Sequence, residues 1–233
     1  MDISVLLLAY NEAENLRNLL PRIISAMTDV SAEYEIIIVD TQTPTDDTEG
    51  VCLEHGAKYV RQDAPGYAEA FKTGIRQAKY GYILNLDADG SHMPEVIPAI
   101  CAMAGSGYDL VIGSRYTSGG STDDVRSSII MSKLLNFVMR KAIGTKARDV
   151  SGSFRLYEAA QLKAVTLTRR NYDVLQEVML RMKLNNKQLK VGEVPIDFQK
   201  RLAGKSKRKL LRFILGYLVT VLALLKLRVT GKR

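Results

Sequence analysis

Two aspartates separated by one residue, Asp87 and Asp89, stand at the end of an apolar run and before Gly90. Such a pair can hold a divalent cation against a diphosphate, because Mg²⁺ and Mn²⁺ prefer carboxylate oxygens and take further ligands from phosphate and water. The bound metal would neutralise the charge that develops on a departing nucleotide. Taken alone, however, the same residues are more typical of a turn after a strand.

Polar side chains also follow two other apolar runs of the chain. Tyr10 and Glu12 come at the end of residues 3–9, and Asp40 closes residues 35–40. In open parallel sheets, ligands bind at the carboxyl ends of the strands. We therefore expect these residues and the Asp87–Asp89 pair to converge on one crevice.

The elements that must position these side chains are visible in the alternation of short β-branched runs with helical patterns. This alternation predicts βαβ units and an α/β fold with a mainly parallel sheet. At 233 residues, 46% of them hydrophobic, the chain can bury one sizeable core. The predicted strands are residues 3–9, 35–40, 82–87 and 110–113, and the predicted helices include residues 16–27, 68–78 and 95–103.

The net charge of +8 is unevenly distributed. Eleven of the 33 basic residues follow Asp197 and no acidic residue does, so the rest of the chain holds 22 basic against 25 acidic side chains. The basic residues of the tail flank an apolar run and do not alternate with stacking aromatics, which favours an anionic membrane surface and not a nucleic acid as partner. A merely solvated tail is the alternative.

Two segments could contact a membrane. Residues 213–225 form a charge-free apolar stretch of 13 residues, whereas a spanning helix needs about 20. We expect this stretch to lie at the interface, in a tail of residues 208–233 that follows a catalytic domain of residues 1–207. Residues 129–143 have an amphipathic pattern and are a second candidate. Core packing or dimerisation is the alternative for both, and the oligomeric state stays open.

The cysteines, the histidines and the first residues of the chain bear on its cellular location and on metal binding. Cys52 and Cys101 are isolated thiols at no metal-like spacing, and the first residues lack a basic signal-peptide region. We therefore expect a cytoplasmic protein bound to the inner face of a membrane. His55 and His92 have no second histidine or cysteine at ligand spacing, so we do not expect them to bind metal.

Five ordered segments together resemble the dolichol-phosphate mannosyltransferase family of polyprenyl-phosphate glycosyltransferases. They are residues 8–12 (LAYNE), 86–95 (LDADGSHMPE), 112–116 (IGSRY), 149–157 (DVSGSFRLY) and 192–196 (GEVPI) with the positions that follow to Lys207. The resemblance implies a GT-A fold and inverting transfer of a mannose- or glucose-type hexose. The donor would be a GDP- or UDP-sugar, the cofactor Mg²⁺ or Mn²⁺, and the acceptor a polyprenyl or dolichyl phosphate.

The resemblance also implies roles for individual residues. Nucleoside contacts fall to Ala9, Tyr10, Glu12 and Asp40, metal and diphosphate contacts to Asp87 and Asp89, and phosphate contacts to Arg115, Ser132 and Arg201. The chain departs from the family pattern in two places. Residues 40–43 are Asp-Thr-Gln-Thr where the family has Asp-Asp-Gly-Ser. The family's arginine four residues before Ser132 is Ser128 here, which leaves Arg126 as the nearest arginine and as a candidate contact for the acceptor phosphate.

The acceptor decides whether a base is needed. A phosphate monoester has a second pKa of about 6 and is already largely dianionic at neutral pH, so it can attack the anomeric carbon unaided. A saccharide hydroxyl would need a general base, for which Asp149 is the candidate. A same-fold transferase acting on a hydroxyl and a non-catalytic peripheral membrane protein remain alternatives, and Arg115 or Arg201 could instead form ordinary ion pairs.

Overall fold

A computed structural model describes residues 1–30, 33–199 and 210–231. Among these residues a central sheet has seven strands in the order β3-β2-β1-β4-β7-β5-β8, and only β7 runs antiparallel to its neighbours. A short parallel ladder of β6 and β9 lies beside it. The strands are β1 (Ile3–Leu8), β2 (Tyr34–Asp40), β3 (Lys58–Arg61), β4 (Tyr82–Asp87), β5 (Leu110–Ser114), β6 (Ser121–Thr122), β7 (Arg155–Glu158), β8 (Val191–Pro195) and β9 (Asp197–Phe198).

Helices cover both faces of the sheet. One core cluster joins the sheet to α1, α2 and α4, and the other joins it to α3, α5, α6, α7 and α8. A short 3₁₀ turn, Pro94–Val96, precedes α4. The helices are α1 (Ala13–Val30), α2 (Thr48–Glu54), α3 (Tyr67–Gln77), α4 (Ile97–Gly105), α5 (Arg126–Ile143), α6 (Ala159–Lys163), α7 (Val174–Asn185) and α8 (Leu210–Thr230).

The first strand shows why the apolar pattern predicts this sheet. Val5 and Leu7 of β1 pack into one core cluster, while Leu6 between them packs into the other. A parallel strand that is buried on both faces reads as a continuous apolar run. Leu8 pairs with both Val39 and Asp87, which brings the ends of β1, β2 and β4 to one edge of the sheet. The predicted α/β class and the convergence of these strand ends are confirmed.

Three strands of the sheet were not predicted from the pattern. β3 has four residues with exposed ends, and β8 contains Gly192 and Pro195, which are poor strand formers. β7 inserts between β4 and β5, where Arg155 pairs with Asn85 in the antiparallel register. Because β7 begins with a buried arginine, its sequence lacks the continuous apolar run that predicts a buried strand.

The tail helix α8 packs one face against the body. Thr220 and Leu224 are buried in this contact, and the Thr220 hydroxyl donates to an Asp173 carboxylate oxygen at 3.0 Å. Leu218 and Leu222 on another face stay exposed. Within the described ranges, none of the helices is both long and apolar enough to cross a membrane.

Candidate functional site

The Asp87–Asp89 pair lies where β4 ends at the carboxyl edge of the sheet. Gly90 adopts a φ of 76°, a left-handed conformation that glycine reaches without strain and that reverses the chain here. Asp89 is buried, and its Oδ1 accepts hydrogen bonds from the backbone N–H (3.1 Å) and the hydroxyl of Ser91. The segment is therefore a turn, and the same turn sets both carboxylates at the strand edge.

The His92 side chain packs against this turn. The Asp87 N–H donates to His92 Nδ1 at 3.1 Å, so that nitrogen carries no proton. The ring stacks on Phe154 at 5.1 Å and meets Phe198 edge-on at 5.4 Å. Burial lowers the pKa of His92, although the nearby Asp87 and Asp89 oppose the shift. A neutral His92 thus fixes the start of the turn. The spacing of histidines and cysteines along the sequence, which bears only on metal binding, could not have indicated this role.

The Asp87–Asp89 pair fits a metal site completed by substrate. Among the described residues, no three His, Cys, Asp or Glu side chains come together as a group that could hold a metal ion. Mg²⁺ is commonly held by one or two carboxylates together with substrate phosphates and water. Two carboxylates at a strand edge, with the remaining ligands left to a diphosphate, match that donor set.

The predicted nucleoside contacts after β1 lie at the same edge. Ala9 is buried and continues the ladder through its N–H to Val39 at 2.8 Å, while the Tyr10 side chain is 57% exposed. Asn11 adopts a φ of 58° and accepts a hydrogen bond from the Thr45 hydroxyl at 2.8 Å. Glu12 accepts a hydrogen bond from Asn15. The chain thus turns sharply and leaves Tyr10 facing solvent beside the crevice.

Asp40 at the end of β2 is fully enclosed. Its carboxylate accepts hydrogen bonds from the Thr41 N–H at 2.7 Å and from the Tyr59 hydroxyl at 3.1 Å. Burial raises the pKa of Asp40, against the opposing effect of these two hydrogen bonds. Asp40 is therefore at the predicted edge, but its oxygens are bound by the protein.

A second carboxylate, Asp46, shapes the same loop and was not predicted. It accepts hydrogen bonds from the Ala13 N–H at 2.9 Å and from the Thr48 hydroxyl at 2.8 Å. The N–H groups in the first turn of a helix have no partner within the helix, so a side-chain acceptor stabilises the helix start. Asp46 thereby ties the loop after β2 to the first turn of α1.

Arg115, the residue directly after β5, forms an ion pair with Asp149. Arg115 Nε and Nη2 donate to the two carboxylate oxygens at 2.7 and 2.9 Å, and the Arg115 backbone N–H adds a third contact at 3.2 Å. The Arg115 side chain is only 13% exposed, and Asp149 is not exposed at all. The ion pair that the sequence left as an alternative role for Arg115 is thus present.

The electrostatics of this pair argue against Asp149 as a base. Burial would raise the pKa of Asp149, but hydrogen bonds and attraction from Arg115 outweigh it and the pKa is lowered. Burial likewise opposes the charge of Arg115, yet Asp149 raises the pKa of the guanidinium. A carboxylate with a depressed pKa and both oxygens engaged is a poor proton acceptor.

Three polar side chains that were not predicted hold the Asp149 segment in place. Arg155 is fully buried and donates to the carbonyl oxygens of Val150, Gly152 and Leu175 at 2.7–2.9 Å. Asn136 Oδ1 accepts from the Val150 N–H at 2.8 Å, and its Nδ2 donates to Ser151. Glu193 accepts from the Asp149 N–H at 3.0 Å. Arg155 and Glu193 lie in the segments that carried the resemblance, which was the available signal for them.

The remaining predicted phosphate contacts differ in placement. Ser132 is half-buried on α5, one helical turn from Asn136, whose amide lies 3.5 Å from its hydroxyl. Arg126 is exposed at the first residue of α5. Arg201 lies outside the described residues, together with Lys200 and the basic cluster that ends at Lys209.

Comparison with known proteins agrees with this geometry. A family model described as "Glycosyl transferase family 2" matches residues 4–166. A curated dolichol-phosphate mannosyltransferase of Pyrococcus furiosus is 35% identical over 221 residues, which is 90% of this chain and 60% of the relative. A polyprenol monophosphomannose synthase of Mycolicibacterium smegmatis is 29% identical over 87% of this chain and 79% of that protein. The chain thus spans about 60% of the length of the Pyrococcus relative.

Solved structures show the same fold. Glucosyl-3-phosphoglycerate synthase from Mycobacterium tuberculosis, in complex with Mn²⁺, UDP and glucosyl-3-phosphoglycerate, aligns with a TM-score of 0.71 and 20% identity. The alignment covers 97% of this chain and 79% of that one. A complex of the same enzyme with Mg²⁺ and UDP aligns equally well. The predicted GT-A architecture is thereby confirmed.

Proposed function

The chain belongs to glycosyl transferase family 2, and from this premise we propose that it is an inverting, metal-dependent transferase of a hexose from a nucleotide-sugar to a polyprenyl phosphate. The names of the Pyrococcus and Mycolicibacterium relatives support this donor and acceptor class. The observation that carries the choice of acceptor is the buried Arg115–Asp149 pair. In this pair Arg115 engages Asp149, the one carboxylate that the sequence offered as a general base. A phosphate acceptor needs no base.

In the proposed reaction, a phosphate oxygen of the acceptor attacks the anomeric carbon. The bond from that carbon to the diphosphate oxygen breaks on the opposite face, and the configuration inverts. The chain contributes by positioning and electrostatics, since it must bring two anionic groups together in line. Asp87 and Asp89 would hold a divalent cation, which when bound offsets the negative charge of the departing nucleoside diphosphate.

The two alternative functions have less support. A saccharide hydroxyl acceptor requires a general base, whereas the Asp149 pKa is held low by Arg115. A non-catalytic protein would have no need of two carboxylates at the strand edge, and both Asp87 and Asp89 are present. The nucleotide base is left to experiment, because Thr41 and Gln42 replace the family residues beside Asp40.

We place the reaction at the cytoplasmic face of a membrane, with the protein bound peripherally. Exposed apolar side chains support the membrane contact: Leu218 and Leu222 on α8, and Ile130 and Leu134 on α5. The basic residues of the tail complement anionic headgroups, each contributing about 1 kcal/mol near the surface. Helices with such a pattern lie in the plane of the interface.

The function is tested by incubating the purified protein with Mn²⁺, a short-chain polyprenyl phosphate and a panel of GDP- and UDP-linked mannose and glucose. We expect a glycosyl phosphate lipid with an inverted anomeric centre, identified by mass spectrometry and NMR. The polyprenyl alcohol of the same length is the control and should yield no product. Transfer to saccharide hydroxyls alone, or to none of the acceptors, would refute the proposal.

A further inference from the structure

The Tyr67 hydroxyl is a buried polar group that the residues assigned above do not use. Tyr67 is the first residue of α3, and its hydroxyl oxygen has no hydrogen-bond partner in the part of the chain that the structure describes. Buried tyrosine hydroxyls usually have a partner, because a buried polar group without one loses its hydration and gains nothing in return. Such a hydroxyl is therefore expected to serve a group that lies beside it.

The Asp87 side chain points to the side of the sheet on which α3 lies. Successive side chains of a strand alternate between the two faces of a sheet. In β4, Ile83 belongs to the core cluster that includes α3, whereas Leu84 and Leu86 belong to the opposite cluster. Asp87 comes four residues after Ile83 and thus shares its face.

Helix α3 follows the carboxyl end of β3 and lies on β1, which brings its first residue to the end of β4. A Cβ added to Gly74 would collide with the Leu6 side chain, so the helix packs directly on β1 at that level. Leu6 pairs with Asn85. Tyr67 is seven residues before Gly74, about 10 Å further along the helix axis towards the carboxyl edge. Asp87 lies about 7 Å beyond Asn85 in the same direction, so both residues reach that edge.

A second aromatic ring holds the Tyr67 ring in place. The ring centroid of Tyr67 lies 4.3 Å from that of Tyr172, which precedes α7. Gly66, with a φ of 113°, ends the loop before α3, and a Cβ added there would lie 3.4 Å from the carbonyl oxygen of Arg170. The loops that precede α3 and α7 thus pack on each other and fix the orientation of the Tyr67 ring.

The charge of Asp87 acts on the Tyr67 hydroxyl. Burial raises the pKa of Tyr67 well above its usual value, and Asp87 raises it further, with the largest effect among the charged neighbours. The hydroxyl therefore keeps its proton at neutral pH. A protonated hydroxyl near an ionised carboxylate is a hydrogen-bond donor for that carboxylate.

We infer that Tyr67 is a positioning residue of the metal site, whose hydroxyl donates a hydrogen bond to the Asp87 carboxylate, directly or through one bound water. This inference rests on the proposed function, which assigns a divalent cation to Asp87 and Asp89. Carboxylates that bind a metal are themselves oriented by hydrogen bonds, and the loss of such a bond costs about 10–100-fold in metal affinity. Asp89 already has this support from the N–H and hydroxyl of Ser91. Tyr67 gives Asp87 the corresponding support.

The inference is tested with Tyr67→Phe, which removes only the hydroxyl. The matched control is Tyr157→Phe. The Tyr157 hydroxyl is also buried on the α3 side of the sheet, but Tyr157 pairs with Ile83, four strand positions away from Asp87. Mn²⁺ affinity is measured from the electron paramagnetic resonance signal of free Mn²⁺, with GDP or UDP present at saturation. Circular dichroism and the unfolding midpoint verify the fold of each variant.

We expect Tyr67→Phe to raise the Kd for Mn²⁺ about tenfold or more, and to raise the Mn²⁺ concentration for half-maximal rate likewise. Its kcat at saturating Mn²⁺, and its nucleotide affinity in EDTA, should stay within about threefold of those of the wild type. Tyr157→Phe should match the wild type in all of these measurements. A role in core packing alone would not produce a loss confined to the metal.

Three results would overturn the inference. Tyr67→Phe could bind Mn²⁺ as tightly as the wild type does, with a raised unfolding midpoint as the sign of a hydroxyl that serves no partner. Tyr157→Phe could lose as much Mn²⁺ affinity, in which case a loosened core explains both losses. Tyr67→Phe could lose nucleotide affinity equally in EDTA, in which case Tyr67 serves the nucleotide. A wild-type protein without Mn²⁺-dependent binding of either nucleoside diphosphate would instead refute the proposed function itself.

Discussion

Arg115 and Asp149 illustrate at the level of single residues how burial changes the meaning of a charge. Two ions removed from water lose several kcal/mol of hydration each, and only close, well-directed contacts recover that loss. The bidentate contact and the added N–H bond provide these. The pair is therefore expected to fix the site segment firmly, since either partner alone would be an uncompensated buried charge.

The first prediction concerns the stability that depends on this pair. Asp149→Asn leaves Arg115 buried without its counter-ion and should lower the free energy of unfolding by about 3–5 kcal/mol. Urea denaturation monitored by circular dichroism measures the change. The control is Glu95→Gln, which breaks the exposed Arg22–Glu95 pair and should cost under about 1 kcal/mol. Equal losses in the two variants would contradict the role assigned to burial.

The second prediction gives the pH dependence of the same contribution. The pKa of Asp149 is lowered in the folded state, so the unfolded chain binds the proton first as pH falls. The stabilisation is therefore complete above the unfolded pKa of about 3.9 and is lost as pH falls through the folded pKa. The asparagine of the Asp149→Asn variant does not titrate. The stability gap between the wild type and this variant should thus narrow below about pH 4, and a gap independent of pH would argue against an ionised Asp149.

The third prediction concerns Asp89. Asp89→Asn removes one of two carboxylates available to a metal, so calorimetric affinity for a nucleoside diphosphate in Mn²⁺ should fall at least about tenfold. Asp29→Asn, an exposed change on α1, is the control and should have no effect. Unchanged affinity in Asp89→Asn would remove Asp89 from the metal site.

Among the elements, α5 and α8 connect the site to the outer surface. Asn136 on the inner side of α5 binds the Asp149 segment, whereas Ile130 and Leu134 on its outer side are exposed. Gly144 ends the helix with a φ of 74°, a left-handed conformation typical of the position after a helix. α8 packs against α5, so the two helices form one outer surface.

The fourth prediction uses the two faces of α8. Leu218→Gln/Leu222→Gln changes exposed side chains only. It should weaken binding to anionic vesicles about tenfold or more, because a fully transferred leucine contributes about 1.5–3 kcal/mol. Sedimentation with vesicles measures this. As a control, Leu224→Gln alters a buried side chain and should lower the unfolding midpoint. Full vesicle binding by the double variant would move the membrane contact elsewhere.

For the whole molecule, the proposed binding of a donor would be thermodynamically coupled to folding, because the crevice exists only when β1, β2 and β4 are paired. The fifth prediction follows. A nucleoside diphosphate at 100 times its Kd should add about 2.7 kcal/mol to the free energy of unfolding. For a chain of this length that raises the Tm by about 5–11 °C. Removal of Mn²⁺ with EDTA should abolish most of the shift, and an equal shift without metal would contradict metal-assisted binding.

The sequence by itself determined the fold class and the position of the Asp87–Asp89 pair. Strands buried on both faces must be apolar along their whole length, so β1, β2, β4 and β5 are visible as runs, and their order of alternation with helices implies a parallel sheet. The polar residues that follow these strands must then lie together at the carboxyl edge of the sheet. The ordered motifs supplied the family, which the comparisons confirmed.

Only the tertiary structure decided which side chains bind one another. Arg115 meets Asp149 from 34 positions away, because β7 enters the sheet in the antiparallel direction next to β5. Tyr59 encloses Asp40 because β3 pairs with β2. Local patterns record burial and periodicity along the chain, whereas these contacts depend on strand order, which is set by the packing of the whole sheet.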